Sequence, residues 1–386
     1  MSSPEETLSR ARCPWTATAT ATATGLALAL LTTTPPLAAA TLGSVRSAGF
    51  VGAVAARTGG GYVAAWRDAD GVRFRVLDET AQPLGGVRVL PAEPALLLGA
   101  LDVGASADSG FVVVWASGTK LWSARCGESA ECSRPAVVGV ADHGILEARL
   151  ERRGNAHLLA FVRPRPSLGS FEFGSLVVQR LDGSARASGA PQVLTEAGEA
   201  DYGPELRIAA GGGYVVAWAR WGGEGRFGDI FVQAFDGSGR PRGVAHEVNA
   251  EFPAADQGFP KVFLRANGSG AVAFLDHDDQ LTAQDLDRQG TPVGAARVLA
   301  HSEVPGGLFG PPEVLRGSDG RPLVQSPGSG FAVPLFGDPV HLPLRGHAGN
   351  MARSADPGDA SAVILWFDYR QGQPRATVRA QRIDLP

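Results

Sequence analysis

Gly213-Tyr214-Val215-Val216-Ala217-Trp218, followed by Gln233-Ala234-Phe235-Asp236 and then by Pro241 and Gly243, is the stretch that decides the fold. An apolar run that opens on glycine and closes on an aromatic reads as a strand buried on both faces. The segment after Asp236 reads as a hairpin turn. Asp bonds the backbone amides ahead of it, Pro presets φ, and Gly tolerates positive φ.

The layout recurs. Gly61-Tyr62-Val63-Ala64-Ala65-Trp66, Gly110-Phe111-Val112-Val113-Val114-Trp115, His157-Leu158-Leu159-Ala160-Phe161, Gly270-Ala271-Val272-Ala273-Phe274 and Ala362-Val363-Ile364-Leu365-Trp366 all follow it. The closing aromatics are separated by 49, 46, 57, 56 and 92 residues. The last interval is two repeats long, so a degenerate copy is expected near Pro322–Val324, making about seven. The second half also returns, as Arg75-Val76-Leu77-Asp78, Gln179-Arg180-Leu181-Asp182, Gln284-Asp285-Leu286-Asp287 and Gln381-Arg382-Ile383-Asp384. Glycine stands seven residues after the Asp at Gly85, Gly189, Gly243 and Gly294, and proline five after at Pro83, Pro241 and Pro292. Short strands are then expected at Val87–Leu90, Gln192–Leu194, His246–Val248 and Arg297–Leu299.

A repeat of about fifty residues with four such strands predicts an all-β fold, a β-propeller of about seven four-stranded antiparallel blades, six being the other count. One such sheet has two apolar faces and cannot cover both; stacking blades in a ring covers them all. The last blade lacks an outer strand, because the sequence stops at Pro386. Leu42-Gly43-Ser44-Val45-Arg46 resembles the outer strands and is expected to close the ring by completing it. An open solenoid is the competing arrangement.

Residues 1–40 read as a signal peptide and leader, and 41–386 as the propeller. Arg10 and Arg12 precede the apolar run Gly25–Leu31, and Ala38-Ala39-Ala40 offers a small-residue cleavage pattern. The run is too short to span a bilayer, which needs about 20 residues, and no later segment is apolar enough. Export to the periplasm or medium is expected. Cys126 and Cys132 then remain, with five residues between them. In an oxidising compartment they suit a small-loop disulfide, Cys126 falling about where Asp should start the turn. A metal site would need further ligands nearby.

The 386 residues are 44% hydrophobic and 19% charged, with a formal net charge of −4, ordinary for a globular protein. The 51 glycines and 27 prolines, about a fifth of the chain, match many tight turns. The cations are nearly all arginine and form no basic stripe, so nucleic acid is not an expected partner. A monomer is expected.

Trp366-Phe367-Asp368-Tyr369-Arg370-Gln371-Gly372, followed by Val378-Arg379-Ala380-Gln381-Arg382-Ile383-Asp384, resembles a repeat family of exported bacterial β-propellers. That repeat reads apolar-Trp-x-Asp-x-Arg-x-Gly, then a strand ending Gln-Arg-x-Asp. The resemblance runs over most of 41–386 and implies the fold, with no catalytic residues to carry over.

No His-Glu-x-x-His and no Gly-x-Ser-x-Gly occurs. The suggestive feature is acidic. Asp68 and Asp70, Asp276, Asp278 and Asp279, and Asp368 follow the aromatic-ending strands and belong on one rim. The rim also takes the blade-to-blade connections, with Glu196, Glu199, Asp201, Glu251 and Asp256. Such carboxylates suit a Ca²⁺ site of 6–8 oxygens or a pair for acid–base glycoside hydrolysis, although Asp and Gly are also ordinary turn residues. No cofactor is otherwise expected. With no catalytic motif, the first functional expectation is a non-enzymatic binding or interaction module for a glycan, peptide or protein. A carbohydrate-active hydrolase or lyase using rim carboxylates is the alternative, and a structural envelope component the third.

Overall fold

Trp66, Trp115 and Trp218 close strands that are buried along both faces, as their continuous apolar runs require. The computed structural model describes residues 39–46, 51–68, 70–91, 99–164, 174–195, 201–220, 228–248, 258–275, 280–300, 313–316, 322–325, 331–334, 340–341, 349–352, 361–368 and 375–384. Those residues are all-β. Among them no helix is long and apolar enough to cross a membrane.

Strand β1 (Ala40–Arg46) comes first. Blade 1 holds β2 (Gly52–Ala56), β3 (Tyr62–Asp68), β4 (Gly71–Leu77) and β5 (Pro83–Pro91). Blade 2 holds β6 (Leu101–Ala105), β7 (Phe111–Ser117), β8 (Lys120–Cys126) and β9 (Ala136–Val140). Blade 3 holds β10 (Ala148–Arg153), β11 (Ala156–Pro164), β12 (Gly174–Leu181) and β13 (Gln192–Val193). In blade 4 these are β14 (Asp201–Ile208), β15 (Tyr214–Arg220), β16 (Asp229–Phe235) and β17 (His246–Glu247). Blade 5 has β18 (Gly258–Leu264), β19 (Gly270–Leu275), β20 (Leu281–Leu286) and β21 (Pro292–Ala300). The degenerate sixth copy is β22 (Glu313–Arg316), β23 (Pro322–Gln325), β24 (Phe331–Pro334) and β25 (Val340–His341). Blade 7 supplies β26 (Gly349–Ala352), β27 (Ser361–Asp368) and β28 (Arg375–Asp384), and β1 completes it.

Each blade is an antiparallel meander, and a single pairing, Gly174 with Asp201, links the edges of blades 3 and 4. The first strands adjoin from blade to blade, β2 with β6, β6 with β10, β10 with β14, β14 with β18, β18 with β22, and β26 back to β2. The arrangement is a closed propeller of seven blades rather than an open solenoid.

The apolar clusters lie between blades, which is why the repeat needs neighbours. Trp66, Tyr62 and Val54 of blade 1 pack with Leu365, Phe367 and Val378 of blade 7 and with Leu42 and Val45 of β1. Phe74 and Val63 meet Trp115 and Val103 across the next gap, and Val114 and Leu121 meet Leu150 and Phe161 across the one after. Closure depends on one close approach. A Cβ on Gly43 would stand 2.8 Å from the Trp66 ring, so glycine is required for β1 to lie against it. Gly139 in β9 does the same for Phe161 of blade 3, at 2.9 Å.

The turn signature has a direct physical basis. Asp236 Oδ1 accepts from the amides of Ser238 (2.7 Å) and Arg240 (2.9 Å) and from the Ser238 hydroxyl (2.7 Å). Asp78, Asp182 and Asp287 accept from the corresponding amides. The glycine seven residues on has positive φ each time, 79° at Gly85 and 119° at Gly243. The Gln of the signature donates to that glycine's carbonyl, Gln179 to Gly189 at 3.3 Å, Gln233 to Gly243 at 3.1 Å and Gln284 to Gly294 at 3.1 Å. Arg75 takes the same role toward Gly85 at 2.9 Å.

Cys126 and Cys132 form a disulfide. The pair sits one residue from the expected register. Gly127, not Cys126, occupies the Asp position, its amide donating to Glu131 O at 2.9 Å as that of Asp236 donates to Arg240 O. The cysteines take the bridged positions held by Phe235 and Pro241 in blade 4. The clip therefore replaces an apolar–proline contact, in a turn that has lost its carboxylate. Strand β1 begins at Ala40, one residue inside the expected leader, and Ala40 pairs with Ala380.

Replacing Gly43 by Val should destabilise the fold by about 1–3 kcal/mol through overpacking against Trp66. Gly86→Val, where a side chain meets nothing within 4 Å, should leave it unchanged; equal denaturation midpoints for the two variants would refute the closure contact. The Ser238 hydroxyl, with the amides of Arg240, Ser238 and Gly239, holds the Asp236 carboxyl down at about 2. A depressed carboxylate pKa means that the turn's contribution is complete above the ordinary value of about 3.9 and fades as pH falls through about 2. NMR titration of Asp236 should give that lower midpoint, and an ordinary one would contradict the turn geometry.

Candidate functional site

The first strands carry no aromatic signature, but their register can be read from the strands they pair with. The residue opposite the one before each closing aromatic is Ala53 in blade 1, Asp102 in blade 2, Arg149 in blade 3, Glu205 in blade 4 and Lys261 in blade 5. One level of the innermost strands thus passes from alanine to four ionisable residues in consecutive blades. Two residues further along the same strands stand Ala55, Gly104, Glu151, Arg207 and Phe263.

Glu205 is the hub. Its carboxylate meets Arg149 Nε at 3.2 Å, Arg207 Nη2 at 3.1 Å and Lys261 Nζ at 3.5 Å. Only 3% of its side chain and 1% of that of Lys261 reach solvent. Arg207 also pairs with Glu151 and donates to the carbonyl of Val262 at 3.2 Å. Asp102 is turned into backbone, accepting from Val103 N at 2.9 Å and from Leu150 N at 2.6 Å. Buried charges persist only when paired and hydrogen-bonded in this way.

Toward the rim from which these strands start, two more carboxylates join. Glu147 stands two residues before Arg149, half-buried, and accepts from the amide of Gly203. Gly203 lies in an irregularity of β14 between Tyr202 and Glu205, with φ of 61°. Such a bulge re-aims the side chains on either side of it. Asp201, the first residue of β14, is fully buried and accepts from Arg220 Nε at 2.8 Å. Burial pushes its pKa above the ordinary carboxylate value, and Arg220, Thr195 and Trp218 offset this only in part. Arg220 itself lies over the Phe231 ring, 4.4 Å from its centroid. Through Gly203, Glu147 is tied to β14 at a residue two positions from Asp201.

The rim aspartates behave differently. Asp68 pairs with Arg73 at 2.8 Å, and Asp70, two-thirds exposed, pairs with the same guanidinium at 3.2 Å. Asp368 pairs with Arg379 at 3.1 Å. Asp68 and Asp368 thus occupy equivalent strand ends in blades 1 and 7, each matched to an arginine of the following strand. Asp276, Asp278 and Asp279 lie outside the described residues, as do Glu196, Glu199, Glu251 and Asp256. Asp201, the acidic connection residue that is described, is buried against Arg220. Among the described residues, no three His, Cys, Asp or Glu side chains are gathered as a metal would need.

At the opposite rim of blade 3, a shallow pocket is lined by Arg153, Asn155, His157, Arg180 and Asp182. His157 Nε2 lies 2.8 Å from the Ala105 carbonyl, and burial lowers its pKa. Arg153 and Arg180 donate to carbonyls of the neighbouring turn, at Gly237 and Ser238. These contacts join blades 3 and 4.

No family model matches the chain, and no curated protein does. Solved structures do. An α-L-arabinanase from Penicillium chrysogenum, complexed with arabinobiose, is similar at TM-score 0.54 and 10% identity, over 91% of this chain and 99% of that one. An α-L-arabinofuranosidase from Fusarium graminearum, in complex with an iminosugar inhibitor, gives 0.52 and 9%, over 89% and 98%. A protein of unknown function from Dyadobacter fermentans gives 0.51 and 13%, over 90% and 99%. At these identities the likeness establishes the fold. It also corrects the first functional expectation, a non-enzymatic binding module: two of these three similar structures are an arabinanase and an arabinofuranosidase, and they favour the hydrolase alternative.

Proposed function

We propose that the chain is a glycoside hydrolase working at the axial end of blades 3 and 4, with Asp201 and Glu147 as its carboxylate pair. The observation that carries the reading is the contrast between them. Asp201 is desolvated and keeps its proton to higher pH, whereas Glu147 is half-exposed and bonded to a backbone amide. Two carboxyl groups in unlike environments are what glycosidic cleavage needs. The acid protonates the departing oxygen as the bond to the anomeric carbon breaks, and the second carboxylate activates water or attacks that carbon. Glu205, fixed by three cations, holds the floor of the site in place. The likeness to an arabinanase and an arabinofuranosidase supports carbohydrate as the substrate class, arabinose-containing glycans first. Export fits a polymeric substrate, and the Cys126–Cys132 disulfide suits an oxidising compartment.

Reducing-sugar release from arabinan, arabinofuranosides and acidic plant polysaccharides tests the proposal. Asp201→Asn and Glu147→Gln should each lower kcat by about 10²–10⁴, with both variants folded at the assay temperature and Asp201→Asn melting lower because Arg220 loses its anion. A general acid must be protonated, so activity should fall as pH rises through the raised pKa of Asp201, and the Asn variant should lose that limb. Wild-type protein inert on the whole panel would end the reading.

A further inference from the structure

The position after the closing aromatic is apolar and buried in most blades, as Ala116, Val162, Ala219, Leu275 and Phe367. In blade 1 it is Arg67, only 6% exposed. Its backbone is regular, the amide donating to Val51 O at 2.9 Å. Its guanidinium is not: among the described residues Nη1 is buried with no hydrogen-bond partner. The facing residue is adapted to it. Gly99 stands just before the first strand of blade 2, and any side chain there would collide with the Arg67 guanidinium. At the corresponding places the sequence has Phe50 before β2 and Leu146 before β10. In blade 1 a cation thus stands in the apolar position and faces a glycine.

Arginine cannot shed its proton in a protein, so burial leaves a charge that calls for an anion. The neighbouring carboxylates are committed, Asp68 to Arg73 and Asp102 to backbone amides. Arg67 lies at the end of β3 beside the start of β6, on the same rim as Asp201 and Glu147. We propose that Arg67, whose guanidinium is admitted by Gly99, binds a carboxylate carried by the glycan, so that the arabinose-containing substrate is one that also bears uronates. The planar guanidinium fork matches a carboxylate in two parallel hydrogen bonds. The inference rests on the hydrolase reading for its glycan, but not for its anion.

Calorimetry on the Glu147→Gln protein separates the two, since it measures binding without turnover. Oligogalacturonides should bind, neutral arabino-oligosaccharides of equal length more weakly, and Arg67→Met should weaken the acidic ligand by about tenfold or more while sparing the neutral one. Sulfated oligosaccharides binding in place of uronates would overturn the carboxylate assignment. Methionine resembles what the other blades carry, so Arg67→Met should fold and, without ligand, melt higher than the parent protein. A lower melting temperature would mean that Arg67 has a structural partner, and uronate binding indifferent to Arg67→Met would refute the subsite while leaving hydrolysis untouched. Arg67-dependent uronate binding without any turnover would refute the hydrolase and keep the anion site.

Discussion

A four-stranded sheet whose second strand is buried on both faces has no stable existence alone. The blades whose side chains are described present valines and aromatics to their neighbours, and a closed ring covers both faces of such a sheet. The constraint falls hardest on the junction of blades 7 and 1, where the sheet is assembled from the two ends of the propeller. Trp66 fills that junction, and Gly43 lets β1 come close enough to cover it. The same device, Gly139 against Phe161, serves an ordinary junction between blades 2 and 3. Closure is therefore the repeat's own packing rule applied once across the two ends.

The parts of the fold legible in the sequence are those where one residue type has a single local task. Asp78, Asp182, Asp236 and Asp287 hold turns by accepting from amides two and four residues ahead. Gln179, Gln233 and Gln284 fasten the strand to the carbonyl of the turn glycine. These bonds span ten residues or fewer, so the spacing survives even where the surrounding sequence drifts. Cys126 shows the limit. The cysteines replace the Phe235–Pro241 contact, not the Asp, and with Gly127 in the Asp place the turn lacks the residue that marks its register.

The first strands were the least legible, and they hold the candidate site. They are short, lack a closing aromatic, and take their register from the strand beside them. Lys261, one of two lysines in the chain, and Glu205 belong to no repeating signature, and only the register puts them opposite Ala273 and Ala217. The rim aspartates are the opposite case. Asp68, Asp70 and Asp368 are conspicuous in sequence, and each is matched to an arginine of its own hairpin.

A repeat protein supplies its own internal control, because every position has counterparts under nearly the same packing. Where Ala53 suffices in blade 1, Glu205 and Lys261 are not required by the fold. A well-packed apolar residue commonly serves as well as a buried ion pair. The same reasoning applies to Arg67 among Ala116, Val162, Ala219, Leu275 and Phe367. Departures of this kind carry a desolvation cost with no compensating gain in blade packing, and they gather at the starts of the first strands and the ends of the second. Such clustering is what a site grafted on a scaffold produces, and turn chemistry, being spread evenly around the ring, would not produce it.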